Sequence, residues 1–132
     1  MNNDRFKFRG RLCHNNEWVY GNLIIANDGQ PYILPQDIIQ PDGHHLMIDS
    51  DNAFWVKPET IGQCTGLKDK NGKLIYEGDI CLFNRPGYNQ DKGTIIFNKK
   101  KACFEFNQHW NGNVKLAGKN IEIIGNIHEA KE

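Results

Sequence analysis

The sequence predicts a mainly β protein with little helix. A small barrel of SH3-like type is expected over 64–132, with a β subdomain packed on it over 1–63. Three observations predict this. Thirteen glycines, with many Asn and Asp residues, supply turns. Ile, Val, Phe, Trp and Tyr fall in short runs between those turns. Apolar residues at helical spacing over several turns are scarce. Closing a sheet into a barrel removes its edges, which suits a chain with no helix to cover them.

In chain order, residues 6–12 predict a first strand. Arg5, Lys7, Arg9 and Arg11 then share one face, with Phe6, Phe8 and Leu12 broadly on the other. Such a cationic row is either an anion or nucleic-acid surface or the solvated face of an edge strand, where charge discourages edge-to-edge pairing. The solvated face is the ordinary outcome. His14-Asn15-Asn16-Glu17 is a turn, and Trp18 to Ala26 a longer strand in which Gly21 marks a bulge or a close backbone approach. Asn27 to Gln30 turns the chain into a short strand, Tyr32-Ile33-Leu34, set between Pro31 and Pro35. Gln36 to Asn52, rich in Asp, Pro and Gly, is an excursion loop and a place for a partner contact. Phe54-Trp55-Val56 is strand-like, and Pro58-Glu59-Thr60 begins a turn or a single helical turn.

The central stretch, Thr65 to Phe83, holds two reversals. Asp69-Lys70-Asn71-Gly72 is a hairpin turn, because Asn and Gly tolerate positive φ. Glu77-Gly78-Asp79 is the second, with Gly78 supplying an unusual dihedral. Glu77 and Asp79 are either a carboxylate pair for acid–base chemistry or, more ordinarily, turn residues in which Asp79 accepts from nearby backbone N–H groups. Beyond them the chain predicts strands at 80–83, 93–97, 102–106, 114–116 and 121–127. Residues 84–91 read as a loop, Lys99-Lys100-Lys101 as a hairpin tip, and 128–132 as a frayed tail.

A chain of 132 residues suits one domain with two subdomains, and can bury a core without disulfides or metals. Sixteen basic and 16 acidic residues give zero formal charge. That argues against general nucleic-acid binding, which needs a positive excess, but leaves room for a local basic patch. No apolar run spans a bilayer and no apolar signal core opens the chain, so the expected location is the reducing cytoplasm of a bacterial cell, with its four cysteines free and no membrane contact.

Signatures of chemistry are weak. Cys13, His14, His44, His45, Cys64, Cys81, Cys103 and His109 lack the paired spacing of a zinc site, and Cys81 and Cys103 read as core residues. There is no nucleophile elbow, phosphate loop or dinucleotide fingerprint. No catalytic residue, metal ligand or cofactor is therefore assigned.

The central stretch carries a resemblance. Pro58 to Gln63, Thr65-Gly66-Leu67, Asp69 to Lys73, Ile75 to Ile80 and Ile121 to Glu129 are similar to successive motifs of the YopX family of temperate phages and prophages. Phe6 to Arg9 and Trp18 to Gly21 fit its first hairpin. Gly10-Arg11 and His128 depart from it locally. The resemblance spans 1–132 as a single YopX-like domain and implies a fold and a phage setting, with no activity attached.

The expectation is a phage or prophage accessory protein that binds a macromolecular partner, forms a homo-oligomer and is not an enzyme. Trp18, Trp55, Trp110 and seven Phe give a thin β scaffold enough large apolar side chains for an interface. The alternative is nucleic-acid binding through the 85–110 region. There Lys99, Lys100 and Lys101 neighbour Tyr88 and Trp110, joining cations to stacking surfaces.

Overall fold

The computed structural model describes residues 4–35, 53–83, 91–108, 112–115 and 120–129. The excursion loop at 36–52, Tyr88 and Trp110 lie outside the described residues. Strands take 61% of those described, with no helix of seven or more residues among them, so the protein is mainly β. None of their helices is long and apolar enough to cross a membrane. The chain divides into two compact units, 6–63 and 1–5 with 64–132.

In the first unit, β1 (Phe8–Arg11), β2 (Trp18–Ile25), β3 (Pro31–Pro35), β4 (Phe54–Trp55) and the start of β5 (Gly62–Lys68) form an antiparallel sheet in the order β4-β3-β2-β1-β5. The expected first strand is shorter at its start, because Asp4–Phe6 is a 3-10 turn. More importantly, β1 is no edge: Arg9 pairs with Tyr20 on one side and Gly62 on the other. The turn between β2 and β3 is held by the Gly29 N–H donating to Ala26 and by Asp28 Oδ1 accepting from the Gln30 N–H. Gly21 is a close approach, since an added Cβ would lie 2.1 Å from the Leu34 carbonyl oxygen. The sheet curls until its far end meets its middle. Leu12 bridges Val56, the Cys13 N–H donates to Trp55, and the Lys57 N–H donates to Arg11. Ile33, Leu34, Ala53 and Val56 are buried in this unit. Pro58–Thr60 is a single 3-10 turn, as expected, and its Thr60 Oγ1 accepts from the Arg11 N–H at 2.9 Å.

In the second unit, the remainder of β5 forms a hairpin with β6 (Leu74–Tyr76). Then β7 (Asp79–Phe83), β8 (Asp91–Asn98), β9 (Cys103–Gln108), β10 (Gly112–Lys115) and β11 (Ile121–Asn126) form an antiparallel sheet in the order β10-β9-β8-β7-β11. Among the described residues β10 and β11 are not paired, so the barrel expected here is not closed by hydrogen bonds between them. Ile75, Cys81, Ile95, Phe106 and Ile121 form the buried core, with Phe83, Phe104 and Ile123 packed against it. Burying each large side chain stabilises the unit by about 1.5–3 kcal/mol. Phe106 lies directly over Gly93, where a Cβ would come within 2.8 Å of its ring.

Three expectations are corrected here. Asp91 belongs to β8 and not to the loop before it. Ala102 has φ 54°, so it belongs to the hairpin turn and not to the strand that follows. The tail expected over 128–132 starts in a hydrogen-bonded turn, since Asn126 Oδ1 accepts from the His128 N–H and Asn126 O from the Glu129 N–H; residues 130–132 lie outside the described residues.

Candidate functional site

The two central reversals are built as the sequence suggests, with one addition. In the first, the Gly72 N–H donates to Asp69 O at 3.0 Å, and Gly72 takes φ 82° while Asn71 does not cross to positive φ. The Asp69 side chain, 6% exposed, accepts from the N–H groups of Asn71 and Lys73 through Oδ1. Its Oδ2 accepts from the Ile123 N–H, on the edge of β11 away from β7, at 3.1 Å. Beside it the Lys70 N–H donates to Ile121 O, and Lys70 Nζ sits 3.1 Å from Glu122. The turn thus occupies the edge positions another strand would take. Burial alone would raise the Asp69 pKa. The N–H groups of Ile123, Lys73 and Asn71, with the Lys73 charge, outweigh it and hold the carboxyl below the ordinary 3.8.

In the second reversal Gly78 has φ 93°, its N–H donates to Ile95 O, and its own carbonyl accepts from the Ile127 N–H. Buried Asp79 accepts from the Tyr76 N–H at 2.7 Å. Asp79 is therefore a turn-closing carboxylate, the ordinary alternative of the two expected for it. Among the described residues no three His, Cys, Asp or Glu side chains gather as a metal-binding group, and Cys13, Cys64, Cys81 and Cys103 are free thiols.

Lys99, Lys100 and Lys101 do form the tip of the β8–β9 hairpin. Asn98 organises it: its Oδ1 accepts from the N–H groups of Lys100 and Lys101, and its Nδ2 donates to Glu105. Glu105 is only 4% exposed and also holds Lys101 Nζ at 3.5 Å. The three lysines are therefore not equivalent: Lys101 neutralises a buried carboxylate, while Lys99 and Lys100 present charge outward. Phe97, an exposed aromatic just before the tip, rests edge-on against Phe104 with ring centres 5.2 Å apart. The aromatic partners assigned to this tip, Tyr88 and Trp110, lie outside the described residues; Phe97 is the aromatic placed beside it.

A second surface joins the cationic row of the first strand to Trp18 and Tyr20, a pairing that the sequence alone does not show. The register places Arg11 opposite Trp18 and Arg9 opposite Tyr20, all on one face of the β1–β2 pair. Both guanidinium groups lie over the Trp18 ring, at 4.8 and 5.1 Å from its centre. Arg9 is 5% exposed, so it is not the solvated cation expected. Tyr20, next along the face, is 48% exposed. The sequence carries a partial signal: cations alternating to Arg11, a turn at 14–17, then Trp18 and Tyr20 alternating away from it.

The family model described as YopX protein matches residues 7–132. No curated protein matches the chain. Among solved structures, a crystal structure of protein EF1440 from Enterococcus faecalis is similar at 19% identity with a TM-score of 0.47, covering 92% of each chain.

Proposed function

This chain belongs to the YopX family, and from that membership we propose that it is a phage-type accessory protein that acts by binding a macromolecular partner, not by catalysis. The β8–β9 tip is the contact point. The observation that carries this reading is the division of labour among the three lysines, with Lys101 tied to buried Glu105 and Lys99 and Lys100 displayed beside Phe97. A preorganised tip presents charge and an aromatic ring at little ordering cost, which is what a recognition element requires. The partner is a protein of the bacterial cytoplasm, and the binder works as a homo-oligomer. Light scattering at micromolar concentration tests the assembly, with a mass above one chain expected and a clean monomer contradicting it.

The contact is tested by Lys99→Glu with Lys100→Glu. Lys101 is left intact because reversing it would set a second carboxylate beside that of buried Glu105. A partner retained by the wild-type chain from phage-infected cells, then purified, should lose affinity for this variant. Nucleic-acid binding at the same tip is the second reading, favoured by Phe97 beside the cations. It requires a retarded oligonucleotide band at low salt that the same double variant abolishes.

A further inference from the structure

The Arg11–Trp18–Tyr20 face of the first unit is independent of the hairpin tip. We propose that it is a binding surface for single-stranded nucleic acid, with a phosphate held by Arg11 and a base stacked on Tyr20.

Four observations lead there. The Arg11 guanidinium lies 5.1 Å from the centre of the Trp18 ring, a contact that restrains it before any ligand arrives. Its Nε–H is buried without an acceptor among the described residues, although its backbone is fully engaged by Thr60 and Lys57. A buried guanidinium N–H without an acceptor calls for an explanation, and an anion bound at the same group supplies compensating charge. Arg9 lies over the same Trp18 ring, 4.8 Å from its centre. Tyr20 stands opposite Arg9 in the register, so its exposed ring is two residue pairs along the strands from Arg11 and Trp18, the next pair on that face.

A fixed guanidinium beside an exposed ring matches a ligand that alternates phosphate with a flat base. An acidic peptide offers the anion but has no repeated partner for Tyr20. A duplex hides its bases from such a ring. With zero formal charge on the whole chain, affinity rests on these local groups and not on a general field.

The test is fluorescence anisotropy of a labelled oligothymidylate with the full chain, across a salt series. Wild type should bind. Tyr20→Ala, at an exposed position, should weaken binding at least about fivefold. Arg11→Gln should weaken it and reduce the salt slope by about 0.7, the value of one single-strand phosphate contact. Thermal melting checks the fold of each variant, and if R11Q does not fold, Y20A alone decides. Oligonucleotide binding that is lost in the Lys99→Glu, Lys100→Glu chain and indifferent to Tyr20→Ala would place the site at the hairpin tip and overturns the proposal. No oligonucleotide binding, or binding indifferent to Tyr20→Ala, overturns the proposal. So does a polyglutamate peptide that competes fully with the oligonucleotide and whose own binding needs Arg11 but not Tyr20.

Discussion

Asp69 and Ile123 stand 54 residues apart in the chain and are joined by a 3.1 Å hydrogen bond from the Ile123 N–H to Asp69 Oδ2. That bond ties the β5–β6 turn to the edge of β11. The same carboxylate closes its own turn through Asn71 and Lys73, so one side chain sets a local reversal and a long-range seam. Asp69→Ala removes the acceptor from three backbone N–H groups and should lower stability by about 3 kcal/mol. Urea denaturation measures this. An unchanged midpoint would mean that water replaces the carboxylate without loss.

The same residue gives the protein an acid limb. The folded carboxyl titrates below the ordinary 3.8, so the unfolded chain takes up its proton first as pH falls. Its contribution is complete above that ordinary value and is lost as pH drops through the lower, folded value. Asp69→Asn should therefore flatten the fall in stability below about pH 4 and leave the slope near neutrality unchanged. Melting temperatures across an acid series show whether it does.

Two glycines predict opposite sources of strain. Gly78→Ala places a Cβ at φ 93° and should cost about 1–2 kcal/mol through the backbone. Gly93→Ala has no such dihedral problem but sets a Cβ 2.5 Å from Asn107 O and 2.8 Å from Phe106, so it should cost about 1–3 kcal/mol by overpacking. A second change, Phe106→Leu, should recover part of the loss in the Gly93 variant and none in the Gly78 variant. Double-mutant cycles in denaturant decide between them.

At the hairpin tip the stabilising role of Lys101 can be separated from the contact proposed for Lys99 and Lys100. Lys101→Ala should cost up to about 1 kcal/mol by removing the cation 3.5 Å from Glu105, while Lys99→Ala and Lys100→Ala should stay within about 0.5 kcal/mol of wild type. Equal effects at all three positions would remove the distinction drawn between them.

The local reversals were legible in the sequence because turn chemistry is local. Gly72, Gly78 and Asp79 need only their immediate neighbours to declare a turn, and Asn27 to Gln30 likewise. What escaped depends on residues far apart in the chain. Asp69 reads as a turn residue until Ile123 is beside it. The cations through Arg11 read as a solvated edge until β5 pairs beyond β1 and Trp18 folds under two of them. Glu105 lies in a strand that the sequence predicts without saying what faces it, and Asn98 and Lys101 close over it. Barrel closure was inferred from strand count, and strand count does not say which ends meet. The bridging that does occur, Leu12 to Val56, lies in the other unit.

The central claim is that this protein works by surface contact through a preorganised β8–β9 tip. Its most direct test is the affinity of the purified partner for the Lys99→Glu, Lys100→Glu chain, measured beside wild type with both melting temperatures recorded. Loss of binding at an unchanged melting temperature is the predicted result. Undiminished binding by the variant would contradict it.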